Sequence, residues 1–289
     1  MGYSARYHVA SLAAVFLALA AGILIGAEFG ADVLKGVTED LEESLKGDLN
    51  EAEDRIDELE AEIEREQLFS EAVYPALVGD TLPGRSLAVV ALGSRPDDLR
   101  DDILSALEPT GAQASQLAVV REPPDTKALA ELLSGDRSPR LTRDREALAA
   151  RRAGTALVEG RGFYEQVREP LLSSFSGEPT AVDGVIVVRS QSEEVGDDPE
   201  ATETFESNFI DGLRQSGVPV VGVERTDADP SSIDFFDSQG LTTVDDIDLT
   251  AGRVSMVYAL RGAQGKFGVG EDAELVPPLL RRPGATSAP

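Results

Sequence analysis

The densest group of side chains able to do chemistry is the run VDDID, Val244 to Asp248. It sets three carboxylates, Asp245, Asp246 and Asp248, within four residues. Carboxylates at close range can hold a hard cation such as calcium or magnesium. The run lacks the spacing of an EF-hand loop, and a strand-to-helix turn with a capping aspartate describes it better. The rest of the inventory excludes chemistry more than it suggests it. Cysteine is absent, so disulfides, thiolate zinc sites, iron–sulfur clusters and cysteine nucleophiles are excluded together. One histidine, His8, and two methionines, Met1 and Met256, are the only imidazole and thioether groups. A Ser-His-Asp triad needs a histidine in the same domain as its serine, and none follows residue 8. Cu(I) sites want several Met or Cys and Cu(II) favours imidazole, so no metal site and no catalytic residue is assigned. The expectation is a non-enzyme that carries no cofactor.

Binding remains. Gly93, Ser94, Ser190, Glu224 and Arg225 each follow a short apolar run that reads as a strand. In open α/β sheets, ligands bind beyond the carboxyl ends of the strands. Gly93, Ser94, Ser190 and Glu224 are therefore the expected ligand edge of the sheet. The turn LGSR at Gly93 is neither G-x-G-x-x-G nor a P-loop, so it signals no phosphate cradle. Gly265, Gly268 and Gly270 follow a helix rather than a strand and read as a loop.

The elements that would position these residues are legible from periodicity. Ser86 to Leu92, Gln116 to Arg121, Gly184 to Arg189, Val218 to Glu224 and the shorter Leu241 to Val244 are apolar runs of strand length. Between them, helices are predicted over Asp97 to Leu107, Thr126 to Leu133, Glu146 to Leu157, Gly162 to Phe175 and Glu200 to Gln215. A last helix, capped by Asp248 or Thr250, runs to Arg261. Ser138 to Arg145 reads as a loop. Continuous apolar strands alternating with helices predict a mostly parallel sheet flanked by helices over residues 85–276. A disordered tail is expected over 277–289.

Ahead of this domain, residues 9–27 carry no charge. At 1.5 Å per residue they span about 28 Å, the thickness of a bilayer core. The run is longer than the apolar region of a secretory signal, which favours an uncleaved transmembrane signal anchor over a cleaved signal peptide. Arg6 precedes it and Glu28 and Asp32 follow. Residues 1–8 are then a short cytoplasmic N-terminus and the remainder is extracytoplasmic. Within the span Ala14, Ala18, Gly22 and Gly26 continue a stripe of small residues every four positions. Such a stripe lets two helices approach closely in lipid.

Residues 32–72 read as a coiled coil. Between Asp32 and Leu68 there are 15 acidic and 4 basic residues and no proline. Leu45, Leu49, Ala52, Ile56, Leu59 and Ile63 are spaced 4, 3, 4, 3, 4, which is a heptad seam. Leu34, Val37 and Leu41 lead into it through a stutter. A parallel dimer buries so narrow a stripe better than a single solvated helix does. The whole chain, with 53 acidic against 26 basic residues and a net charge of −27, would repel a phosphate backbone, so nucleic acid is excluded as a partner.

Three stretches together resemble the copper transporter MctB family of bacterial envelope proteins, which includes SteB-like septal proteins. They are RYHVASLAAVFLALAAGILIG from Arg6, the pair FYEQVREPLL and DGVIVVRS from Phe163, and TVDDIDLTAGRVSMVYALRG followed by GKFGVGEDAELVPP. The resemblance implies a single-pass homodimer in the cell membrane linked to copper homeostasis or efflux. The SteB-like members imply an alternative, a dimeric scaffold linking a cytoplasmic partner to cell-wall hydrolase control at the division septum. A third reading is a small-ligand sensor using the sheet edge. Carboxylates without His, Cys or accessible Met would bind copper weakly, so the family role enters as implication and the residues themselves favour a scaffold.

Overall fold

Apolar runs became the central strands because they are buried on both faces. The computed structural model describes residues 4–93, 97–134, 142–160, 163–190, 199–270 and 272–278. In chain order the elements are α1 (Ser4–Val78), β1 (Ser86–Gly93), α2 (Asp97–Leu107), β2 (Gln113–Val120), α3 (Thr126–Ser134), α4 (Arg143–Glu159) and α5 (Phe163–Leu171). They continue with β3 (Leu172–Gly177), β4 (Gly184–Ser190), α6 (Pro199–Gln215), β5 (Val220–Val223), α7 (Ile233–Ser238), β6 (Thr242–Val244), α8 (Thr250–Leu260) and β7 (Lys266–Phe267).

The chain divides into two compact units, residues 1–68 and 69–289. The first is helix. Tyr7–Gly26 is long and apolar enough to cross a membrane, as the absence of charge predicted. The six seam residues from Leu45 to Ile63 lie on the same helix and are solvent-exposed in the single chain.

The second unit holds a seven-stranded sheet in the order β3-β2-β1-β4-β5-β6-β7. All neighbours are parallel except β2 and β3. Alternate residues of β1 serve opposite cores. Ala88, Val90 and Leu92 pack with the α3, α4, α5, α6 and α7 side, whereas Leu87, Val89 and Ala91 pack with α2, α8 and Tyr74 and Val78 of α1. Each fully buried Val or Leu contributes about 1.5–3 kcal/mol, so a strand buried on both faces is costly to misplace. Across the first core, α4 and α6 lie almost backbone to backbone. A Cβ on Gly154 would strike the Phe209 carbonyl, and one on Gly212 the Arg151 carbonyl.

Several expectations need correction. The predicted helix Gly162 to Phe175 ends at Leu171, and Leu172–Gly177 turns back as an antiparallel edge strand. Pro170 in the last turn cannot supply the next helical N–H, and Leu172 and Phe175 find apolar cover as strand residues. Pro75 lies inside α1, which continues to Val78. The buried Tyr74 hydroxyl donates to the Ala106 carbonyl at 2.6 Å, and Gly79 N–H donates to the Pro75 carbonyl at 2.8 Å, closing that last turn. Neither Asp248 nor Thr250 caps α8. Leu249 holds the cap position without a side-chain bond, because Asp248 instead accepts the Thr226 N–H at 2.8 Å. The expected loop to Arg145 gives way to α4 from Arg143. Ser94 and the tail beyond Pro278 lie outside the described residues.

Candidate functional site

The strand order reverses direction around β1, whose neighbours are β2 on one side and β4 on the other. The carboxyl ends of β1 and β4 therefore form the switch point where a ligand crevice is expected. Gly93 and Ser190 meet there as a register pair. Gly93 has φ +83°, and a Cβ on it would press on the Ser190 carbonyl and lie 3.2 Å from Glu122 Oε2. Glycine alone permits that approach.

Beside this pair lies a cluster the sequence reading missed. Arg189, at the end of β4, donates from Nε to Glu206 Oε2 at 2.9 Å and sits 4.1 Å above the Phe235 ring. Glu203 Oε2 is 3.9 Å from its Nη2. The Arg189 and Glu206 side chains are 10% and 8% exposed, so the pair is nearly dry. Burial pushes the Glu206 carboxyl above its ordinary value. Arg189 opposes that shift, while Glu122 and Glu203 add to it. A usable signal was present: an arginine closing an apolar strand, followed by glutamates three apart on one helix face.

Glu224 is nearly buried at the end of β5. Its carboxylate accepts the Ser231 hydroxyl and the Ser232 N–H, both at 2.6 Å, and so braces the loop from 225 to 232 against the end of β5. Burial raises its pKa, and those two hydrogen bonds hold it back. Arg225 is taken up by Asp102, and by Asp227 at 3.2 Å. Arg253 approaches the other Asp102 oxygen at 3.7 Å. The structure thus brings Gly93 and Ser190 together, and turns Glu224 and Arg225 to internal work.

The VDDID carboxylates are separated in function. Asp245 accepts the Val269 and Gly270 N–H groups at 2.8 and 2.9 Å, which accounts for the glycine loop. Asp248 holds Thr226. Asp246 is fully buried, with neither oxygen hydrogen-bonded. Its pKa is pushed up to about 7, first by burial and then by the charges of Asp245 and Asp248. Among the described residues no group of three or more His, Cys, Asp or Glu is disposed to hold a metal ion. Met256 is fully buried within α8.

A larger cleft, about 580 Å³, lies between Pro123 and Pro124 after β2 and the facing sides of α4 and α6, with Glu146, Phe205 and Asn208 in its walls. In the first unit, Ala14 and Ala18 are exposed, and Gly22 and Gly26 have open space around them.

Comparison with known proteins adds what geometry does not. The family model described as "Copper transport outer membrane protein, MctB" matches residues 3–278. Proteins named "Copper transporter MctB" from Mycobacterium bovis and Mycobacterium tuberculosis are each 25% identical over 311 residues. The alignments cover 93% of this chain and 97% of theirs.

Proposed function

Because this chain belongs to the MctB family of copper transport outer membrane proteins, we propose that it is a single-pass envelope protein serving copper homeostasis or efflux without catalysis. The observation that carries the reading is the family match from residue 3 to 278, which takes in both the apolar helix and the α/β unit. The distribution of charge supports a cytoplasmic N-terminus and an extracytoplasmic domain: Arg6 precedes the span and 15 acidic residues follow between Asp32 and Leu68. Among the described residues the sheet is open, with β3 and β7 at its edges, so it does not close into a barrel. Copper would then be handled indirectly, through a partner or a regulated process. Deletion of the gene should raise cell-associated copper under copper stress, and complementation should restore it. Unchanged copper in the deletion strain refutes the role. In the same framework, copper titrated into the purified protein meets no tight stoichiometric site; a submicromolar site abolished by Met256→Leu refutes the indirect route.

The exposed seam of α1 favours a second reading, a homodimeric scaffold that links a cytoplasmic or envelope partner to cell-wall hydrolase control at the septum. Leu45, Leu49, Ile56, Leu59 and Ile63 leave large apolar side chains in water on one helix, and a second copy would cover them. Crosslinked membranes that yield no division or cell-wall protein count against it.

A further inference from the structure

The contact between α4 and α6 is tight along part of its length only. Beside Gly154 and Gly212 the two helices lie backbone to backbone. Toward their first turns they part, and the cleft of about 580 Å³ opens between them. Pro123 and Pro124 close its third side. They follow Glu122, which reaches Gly93, so the cleft adjoins the switch point at the carboxyl edge of the sheet. Its base is held in place. Phe205 is buried there and stacks on Phe209. Asn208 accepts from Arg151 Nη1 and donates to the Thr204 carbonyl, both at 2.7 Å. The Thr126 hydroxyl donates to Glu146 Oε1 at 3.4 Å. Two charges on the walls are unanswered. Arg143, the first residue of α4, and Glu200, in the first turn of α6, both line the cleft and both are exposed. Neither has an ion-pair or hydrogen-bond partner among the described residues. Glu203, by contrast, is drawn to Arg189. An accessible cation on one wall and an accessible carboxylate on the other complement a molecule that carries both charges.

We infer that this cleft is a binding site for a short zwitterionic peptide. The terminal carboxylate accepts from the Arg143 guanidinium, whose planar fork matches a two-oxygen acceptor. The terminal ammonium donates to Glu200, with Glu146 as a second carboxylate in the same cleft. An apolar side chain lies against Pro124 and Ala147, both half-buried in the walls. The cleft has about four times the roughly 150 Å³ that holds a benzene molecule, so two or three residues fit and a folded partner does not. The site does not depend on the copper reading.

The test uses the full chain in lipid nanodiscs and fluorine NMR of the dipeptide alanyl-para-fluorophenylalanine. Its N-acetylated and C-amidated forms are the counterparts, each lacking one charge. The free dipeptide should bind with a Kd below about 1 mM and each blocked form about tenfold more weakly. Arg143 and Glu200 are exposed side chains in first helical turns, so their replacement leaves the fold intact. Arg143→Gln should weaken the free dipeptide about tenfold and leave the C-amidated form, which has no carboxylate to lose, unchanged. Glu200→Gln should weaken the free dipeptide about tenfold and leave the N-acetylated form unchanged. No saturable dipeptide binding, equal affinity for the three forms, or full dipeptide affinity in either variant would each overturn the proposal. So would a variant that weakens its matching blocked form as much as the free dipeptide.

Discussion

Asp246→Asn isolates one buried charge. The side chain is fully buried against α8, and neither carboxylate oxygen has a hydrogen-bond partner. The charged groups acting on it are Asp245 and Asp248, both repulsive. Arg253, the nearby cation of α8, directs its guanidinium to Asp102 and to the Ile247 and Asp248 carbonyls. The carboxyl therefore titrates at about 7 in the folded protein, against 3.8 in the unfolded chain. Between those values the folded state binds the extra proton, so stability falls as pH rises through the window and levels off above it. Each tenfold change in ionisation constant is worth about 1.4 kcal/mol. The full penalty is then about 4 kcal/mol, of which about 3 kcal/mol develops between pH 5 and pH 8. Asparagine carries the same shape without the charge, and its own unmet hydrogen bonds cost about 1–3 kcal/mol at every pH. The diagnostic quantity is therefore the change in the offset between the two proteins with pH. Urea unfolding of a soluble fragment from Phe69 to Pro278, measured at pH 5 and pH 8, should show the variant gaining about 3 kcal/mol on the parent. A difference that moves by less than about 0.5 kcal/mol would mean that Asp246 is not held protonated, and that a partner reaches its oxygens in solution.

Replacing Ile56 and Ile63 with Asp should abolish dimerisation of a fragment beginning at Asp32, read by analytical ultracentrifugation, with reduced helix signal in circular dichroism. Two carboxylates per chain in a dry seam cost more than separation, and a mutant that stays dimeric with full helicity removes the seam as the interface. Gly212→Ala should destabilise the α/β unit by about 1–3 kcal/mol in urea, because the new methyl meets the Arg151 backbone across the α4–α6 contact. Unchanged stability would mean that the two helices separate freely.

The sheet was readable where burial is two-sided. The β1, β4 and β5 segments and the second half of β2 are mostly Val, Leu, Ile and Ala because both their faces are largely buried, and their order alternating with helices implied parallel pairing. The β3 strand was not readable, since LSSFSG has only two apolar residues and lies at an edge with one face partly open. The β7 strand has two residues and too short a signal for any periodicity. At the switch point, Gly93 and Ser190 were found from the strand ends alone. Glu224 was legible as a strand end, but its partners Ser231 and Ser232 come from a loop whose return path only the fold fixes. The Arg189–Glu206 pair depends in the same way on how α6 crosses β4.

The central position of β1 has a consequence for the order in which the molecule can be completed. Leu87 pairs with Ala114 on one side but with Gly184 on the other. At about 5–20 residues per second of synthesis, the second partner emerges roughly 5 to 20 s after the first strand. For that interval a strand that ends up buried on both faces has one edge unpaired, and its nearest competitor is a β1 from another nascent copy. The first unit is complete by then and would hold two chains side by side if it dimerises. Tethering at residue 68 would raise the local concentration of unfinished β1 edges, so rapid capture by β2 is the step that separates correct closure from strand exchange between copies.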